Sequence, residues 1–185
     1  MKKNVHPYIE NQTLESERLI LRPLTIDDQE AIFNHINHDK DVLKCFLDKY
    51  CETLEEMNLE RTISFCKKNK RYLFAIVIKK TNEVIGMMLE CSSPNGYMPS
   101  VEVGYALGKA YWNQGYGSEA LGLFIDFLFS LDIHKVTASC FATNIASRRV
   151  MEKVGMVYEG RRKEEIFYHD QFHDCDVFYS LNPNH

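Results

Sequence analysis

Residues 103–120 read Val-Gly-Tyr-Ala-Leu-Gly-Lys-Ala-Tyr-Trp-Asn-Gln-Gly-Tyr-Gly-Ser-Glu-Ala. The pattern predicts a strand, a turn around Gly115 and Gly117, and a helix from about Ser118 to Leu131 that is apolar on nearly every face. Small turn residues let backbone N–H groups approach a pyrophosphate, and the helix N-terminus adds about half a positive charge. The turn lacks the Gly-Lys-Ser/Thr of a P-loop and the third glycine of a dinucleotide fingerprint. ATP and NAD are therefore not the first ligands expected.

The 185 residues carry 22 Lys+Arg against 26 Asp+Glu, a net charge of −4, and 45% of them are hydrophobic. This composition matches a globular domain, and the mild acidity argues against a nucleic-acid partner, which needs a basic face. The longest apolar run, residues 120–131, contains Asp126 and is shorter than the roughly 20 residues that cross a bilayer. No Cys-x-x-Cys pair occurs, so the six cysteines are expected to be reduced. We expect one cytoplasmic domain, residues 1–185, with residues 1–14 as a peripheral segment and no membrane partner.

Strand and helix signals surround the glycine turn. Residues 25–28 and 53–56 each read as a capping box that opens a helix, and Asn144 caps another helix that stops at Gly155. Gly104, inside a strand, marks a bulge or a close backbone approach. Together these signals predict an α/β (α+β) fold with helices layered on one sheet. The predicted strands cover residues 19–24, 72–78, 84–89, 100–107, 136–140, 156–159 and 177–181.

Four segments in consistent order resemble the GNAT superfamily of acetyl-CoA-dependent N-acetyltransferases. The glycine pair matches that family's phosphate cradle, although Trp112 stands where most members have Arg or Gln. The other three segments, residues 17–24, 101–105 and 144–156, are similar to the ribosomal-protein N-terminal acetyltransferase-like (RimJ/RimL-like) branch. The resemblance runs from about Glu15 to Leu181.

The resemblance implies a twisted, mostly antiparallel mixed sheet of about seven strands, flanked by helices. In that fold the strand bearing Glu102 and the strand ending near Phe141 splay apart, and the pantetheine arm of acetyl-CoA enters the gap. Acetyl-CoA is thus the implied co-substrate, with its pyrophosphate on the glycine turn. The residues implied to bind it are Tyr105, Leu107, Gln114, Gly115, Tyr116, Gly117, Ser118 and Asn144.

Two side chains are candidates for proton transfer, because the family attacks the thioester directly with an amine. Glu102 is the candidate base, through a water molecule; the alternative is an exposed glutamate on an alternating strand. Ser147 is the candidate proton donor for the leaving thiolate, since Met151 occupies the position where many members carry a tyrosine. The alternative for Ser147 is a first-turn serine that satisfies helix amides.

Two cations and two histidines complete the candidate residues. Arg149 and Lys153 stand four apart on one helix face, where an anion such as the 3′-phosphate of CoA would relieve their repulsion; pairing with Glu152 is the alternative. His169 and His173 lie in a predicted hairpin turn without the glutamate of a His-Glu-x-x-His motif. We therefore expect no metal site.

The expected function is acetyl transfer to a primary amine, most simply a protein N-terminus, whose pKa of about 7.7 to 8.0 makes it easier to deprotonate than lysine. A polyamine, an amino acid or an antibiotic amine stays open as the acceptor. Two other classes also stay open: a non-catalytic acyl-CoA-binding module, which the loss of the tyrosine at residue 151 allows, and a mononucleotide-binding domain. The oligomeric state is not readable from the chain.

Overall fold

Eight strands form one sheet in the computed structural model, which describes residues 8–93 and 100–185. The spatial order is β1-β2-β3-β4-β5-β6-β8-β7, and every neighbouring pair is antiparallel except β5 and β6, which are parallel. The predicted mixed sheet is confirmed, with an eighth strand that is only two residues long. The strands are β1 Leu14–Glu15, β2 Leu19–Pro23, β3 Leu73–Ile78, β4 Glu83–Ser92, β5 Ser100–Leu107, β6 Lys135–Phe141, β7 Val157–Tyr168 and β8 Gln171–Leu181.

Five α-helices flank this sheet within the two described ranges. The predicted first helix is a composite, with a 3-10 turn before α1 and a π-helical segment, Phe33–Asn37, after it. The second capping box was wrong: Thr53 opens only a 3-10 turn, and the side chain of Asn58 caps the helix that follows by accepting from the N–H of Arg61. The helices are α1 Gln29–Ile32, α2 Lys40–Leu43, α3 Leu59–Lys68, α4 Tyr116–Ser130 and α5 Ile145–Lys153.

Each face of the sheet has its own apolar cluster. One cluster joins α4 and Met151 of α5 to Val101, Val103 and Leu107 of β5. The other joins α1, α2 and α3 to Ala106 of β5. Because successive strand residues point to opposite faces, odd-numbered residues of β5 face α4 and α5, and even-numbered residues face α1 to α3. We call these the α4–α5 face and the α1–α3 face.

The centre of the sheet forks between β5 and β6. The two strands pair only from Ser100 to Val103 on β5 and from Lys135 to Ala138 on β6. Beyond those residues their facing edges separate, as the resemblance implies. The bulge next to the fork lies in β4, where the register shifts between Glu90 and Ser92. Gly104 instead provides the close approach, because a β-carbon there would lie 3.0 Å from the sulfur of Cys91.

The β7–β8 hairpin is far longer than the sequence indicates. Its two strands extend to a two-residue turn at His169 and Asp170, both with positive φ. The added part of β7 is mostly exposed and carries no apolar alternation, so no strand pattern marks it. At its tip the hydroxyl of Tyr168 donates to the carbonyl oxygen of Asp48, 2.9 Å away. The hairpin therefore reaches the segment that follows α2.

The N-terminal segment also joins the folded body in its described part. Tyr8 packs on Tyr72 with 5.2 Å between ring centroids, and Leu14 of β1 pairs with Leu21 of β2. Within residues 8–93 and 100–185, no helix has both the length and the apolar character needed to cross a membrane.

Candidate active site

A cavity of 680 Å³ opens at the fork and passes from one face of the sheet to the other. Tyr105 and Leu107 line it on the α4–α5 face, and Glu102 lines it on the α1–α3 face. The N-terminal turn of α4 and the outer side of α5 continue the first wall. The segment after α2 and the β7–β8 hairpin continue the second. The cavity thus has two chemically different halves, one on each face of the sheet.

The glycine turn presents backbone donors to the α4–α5 half. Gly115 adopts φ +83°, the left-handed region, and caps α4. The first three amides of the helix have no intrahelical acceptor, because the helical ladder begins with the N–H of Glu119 bonding to the carbonyl of Gly115. Together with the helix dipole, these donors favour an anion at the turn.

Arg18 fixes the position of this turn. Its guanidinium donates to the carbonyl of Gln114 at 3.0 Å, lies 4.6 Å from the centre of the Tyr116 ring, and pairs with Glu119 at 2.6 Å. Burial disfavours the charge on Glu119, but hydrogen bonds from Ser16 and Arg18 outweigh it and lower the pKa of that carboxyl. The turn is therefore tied to the start of β2.

Lys153 and Arg149 add positive charge to the same half. Both line the cavity, and the ammonium of Lys153 would lie 3.9 Å from a β-carbon placed on Gly115. The alternative pairing with Glu152 is not what the structure has, because Arg148 holds that carboxylate at 2.9 Å. Within the part of the chain that the structure describes, neither Lys153 nor Arg149 forms an ion pair. Their charges are available to a ligand at the turn.

A tyrosine meets the candidate serine on the α4–α5 face. The hydroxyls of Tyr105 and Ser147 lie 2.8 Å apart, and Asn144 caps α5 by accepting from the N–H of Ser147. Burial raises the pKa of Tyr105, and the hydrogen bond with Ser147 offsets only part of that rise. Met151 is fully buried in the core and does not line the cavity. Tyr105 thus places a protonated phenol on the wall of the cavity.

The candidate base lies on the opposite face. Glu102 extends from β5 where the fork begins, and its carboxylate accepts a hydrogen bond of 2.9 Å from Ser139 of β6. The side chain is partly buried and lines the cavity. A carboxylate on this wall can orient a water molecule or an incoming amine.

The thiols on the cavity wall are poor nucleophiles. Burial and then the charge of Glu102 raise the pKa of Cys91 to about 12. Burial and then Asp176 raise the pKa of Cys140 to about 11. Burial also raises the pKa of Cys45 and of Cys175. Since the thiolate is the reactive form, these cysteines favour a reaction without an acyl-enzyme.

The structure brings most of the predicted residues together. Gln114 and Tyr116 are not on the wall; they hold the turn through Arg18. The roles in binding or catalysis of all the residues predicted for the site, on the wall or off it, remain predictions. The predicted residues on the wall are Glu102, Tyr105, Leu107, Gly115, Gly117, Ser118, Asn144, Ser147, Arg149 and Lys153.

Besides the anchor at Arg18 and the apolar side chains of the wall, sequence reasoning missed three hydrogen-bonding groups of the site. Ser139 bonds Glu102 across the fork, and Trp112 donates from its indole N–H to the carbonyl of Leu107 at 2.8 Å. The phenol of Tyr105 was the third. Strand alternation could have placed Tyr105 on the α5 side and Ser139 on the Glu102 side, whereas no local pattern indicates the contact of Trp112.

The two histidines of the hairpin lie at its turn or contact the residue beside it. His169 occupies the turn itself, and the Nε2 atom of His173 lies 2.9 Å from the carbonyl oxygen of Tyr168. Across the described ranges, no group of three or more His, Cys, Asp or Glu residues is arranged to hold a metal ion.

Comparisons with known proteins agree with this geometry. The model of the acetyltransferase (GNAT) domain family matches residues 18–157. The chain is 28% identical over 173 residues to the uncharacterized N-acetyltransferase YoaA of Bacillus subtilis, covering 92% of this chain and 97% of that protein.

Solved structures share the fold. A GNAT-family acetyltransferase from Bacillus anthracis superposes with a TM-score of 0.77 at 28% identity, covering 92% of this chain and 99% of that one. The ribosomal-protein acetyltransferase RimL in complex with coenzyme A superposes with a TM-score of 0.80 at 18% identity, covering 92% and 98%. The family match and these likenesses lead to one conclusion: the chain belongs to the GNAT acetyltransferase family.

Proposed function

We propose that this protein transfers an acetyl group from acetyl-CoA directly to a primary amine, and that the amine is a protein N-terminus. The observation that carries the proposal is the separation of charge across the forked sheet. Lys153, Arg149 and the N-terminus of α4 line one half of the cavity, and Glu102 lines the other. An anionic donor and a cationic acceptor would therefore meet at the fork from opposite faces.

The residues on the α4–α5 face fit the phosphates of CoA. The first amides of α4 would bind the pyrophosphate, and a β-carbon at Gly115 would crowd Arg18 at 3.2 Å and intrude toward Lys153. Lys153 and Arg149 would hold the remaining phosphate charge. The free edge of β5 beyond Val103 would bind the pantetheine amides, with Asn144 at its border. The co-substrate would supply the activated acetyl group.

Glu102 would prepare the acceptor. An amine must lose a proton before it can attack, and an N-terminal amine with a pKa of about 7.7 to 8.0 loses it more readily at neutral pH than a lysine with a pKa of about 10.4. Glu102 would accept that proton through a water molecule, and Ser139 would orient its carboxylate. The likeness to RimL, named for acetylating a ribosomal protein, supports a protein N-terminus as the acceptor.

Tyr105 and Ser147 would serve the leaving group. The sulfur that departs becomes a thiolate and is stabilised by a proton or a hydrogen bond. Tyr105 is protonated at neutral pH, and burial raises its pKa further above 10.0, so it would donate a hydrogen bond rather than a proton to that sulfur; Ser147 lies 2.8 Å from its hydroxyl. The pair would stabilise the thiolate in place of the tyrosine that many family members carry at position 151. Here that position is Met151, which is buried in the core.

The test is release of free thiol from acetyl-CoA in the presence of peptides, polyamines and antibiotic amines. Glu102→Gln is expected to lower turnover by about 100-fold, the usual loss of a general base, without weakening CoA binding. Glu60→Gln, an exposed position on α3, is the matched control. CoA binding without turnover on any amine would instead support a binding module. Stabilisation by ATP but not by CoA would support a mononucleotide site.

A further inference from the structure

The α1–α3 half of the cavity has a wall that the proposed function does not explain. We call this half the acceptor chamber and define it by six apolar side chains together with Glu102. Three elements supply those side chains: α2 with the segment after it, the central strands β4 and β6, and the hairpin strand β7. The six are Val42, Phe46, Leu47, Leu89, Phe141 and Ile166.

The chamber holds little charge. Among the described residues of its wall, Glu102 is the only carboxylate, and the thiols of Cys45, Cys91 and Cys175 have raised pKa values. Arg149 and Lys153 belong to the other half. A second cation on an acceptor would therefore lose hydration at a wall that offers it no second carboxylate among its described residues, since Glu165 and Asp176, whose charges act on Cys175, do not line the cavity. An apolar group would instead be stabilised by its removal from water against the apolar side chains of the wall.

The chamber wall is also held in place. The hydroxyl of Tyr168, at the tip of the hairpin, lies 2.9 Å from the carbonyl of Asp48 and 3.2 Å from that of Leu43, so it spans the segment that carries Phe46 and Leu47. Behind that segment, the buried side chain of Asn37 donates to the carbonyl of Lys49 at 3.0 Å. These hydrogen bonds hold the backbone that carries Phe46 and Leu47 before any ligand arrives.

From this chemistry we infer that the acceptor chamber selects a primary amine that carries a bulky apolar group beside the nitrogen, and that it discriminates against polycations. The inference rests on the proposed function and names its substrate class. Glu102 receives the single ammonium, and the wall of Phe46, Leu47, Phe141 and Ile166 receives the apolar group. A peptide that begins with a large apolar residue and a free arylalkylamine share this chemistry.

The experiment compares kcat/KM for acetyl transfer to peptides that differ only in a first residue of leucine, serine or lysine, and to phenylethylamine and spermidine. The leucine peptide is expected to exceed the serine and lysine peptides by at least about tenfold, as for an apolar pocket. Spermidine is expected to be the poorest acceptor. Comparing the leucine peptide with phenylethylamine shows whether the source is a protein terminus or a free amine. Equal values for leucine and serine, or a preference for lysine or spermidine, would overturn the inference.

A substitution in the wall of the acceptor chamber provides a second test of the inference. Leu47 is 53% exposed, so Leu47→Asp adds a carboxylate to the chamber with little cost to folding. It is expected to shift the leucine-to-lysine preference at least about tenfold toward lysine. Leu181→Asp, at a position 52% exposed and off the cavity, should leave the preference unchanged. An unchanged preference in Leu47→Asp would count against the chamber.

Binding separates failure of the inference from failure of the proposed function. Thermal unfolding of the full chain with CoA is followed as each amine is added, since a ligand that binds the folded state raises its stability. If no amine is acetylated but the leucine peptide alone stabilises the protein, the chamber stands and the proposed function falls. If no amine stabilises the protein, or spermidine does so equally, the inference falls.

Discussion

Gly115→Ala tests both the shape and the purpose of the turn before α4. Gly115 adopts φ +83°, a conformation that costs an alanine about 1–2 kcal/mol. For a chain of this length, that loss corresponds to a Tm lower by roughly 2–8 °C. The added methyl group would also lie 3.2 Å from the guanidinium of Arg18 and 3.9 Å from the ammonium of Lys153. It would displace a phosphate from the amides, and losing one charge-assisted hydrogen bond should weaken CoA binding roughly 10- to 100-fold.

Gly122→Ala is the matched control within the same helix. A β-carbon there would meet only Val154, at an ordinary 3.7 Å, so this change should raise helix stability by up to about 1 kcal/mol. It should leave CoA affinity unchanged. Thermal unfolding and calorimetric titration with CoA measure both effects. If Gly115→Ala unfolds at the wild-type temperature, the left-handed turn is refuted; if it loses stability yet binds CoA normally, the turn does not hold the phosphates.

Two further substitutions test the phenol of Tyr105 and the buried carboxylate of Asp28. Tyr105→Phe is expected to lower turnover by about 100-fold with CoA affinity intact. Full activity of this variant in stopped-flow or steady-state assays would show that the phenol takes no part in the reaction. The pKa of Asp28 is lowered because hydrogen bonds from Arg22, at 2.7 and 2.8 Å, and from Thr25 outweigh its burial. The stability that Asp28 contributes is present above its ordinary pKa of 3.8 and is lost as the pH falls through the lower, folded-state value. Asp28→Asn should therefore lower the free energy of unfolding by about 1–3 kcal/mol at pH 7, and by progressively less below pH 4, as measured by urea titration. A difference between wild type and variant that does not change with pH would contradict this.

Local patterns predicted the elements that carry an apolar period. The strand at residues 100–107 and the cap of α5 at Asn144 have the predicted bounds, because alternation and capping are properties of neighbouring residues. The charged half of β7 and the two-residue β1 escaped prediction. Each pairs with the strand next to it in the chain, β7 with β8 and β1 with β2, and the backbone hydrogen bonds that join them need no apolar period in the side chains. The helix cap misassigned to Thr53 shows the same limit, since a second capping residue five positions later competes for the start.

The sequence by itself determined the order of the elements, the glycine turn at the start of α4, and a family resemblance whose predicted site residues mostly lie on the cavity wall. These follow from short-range spacing and from ordered motifs. Only the tertiary structure decided that Tyr105 meets Ser147, that Arg18 anchors the turn, and that Glu102 faces a chamber walled by the hairpin. Each of those contacts joins segments dozens of residues apart. The separation of β5 from β6 determines which side chains line the same cavity. No local sequence pattern encodes where two such strands stop pairing.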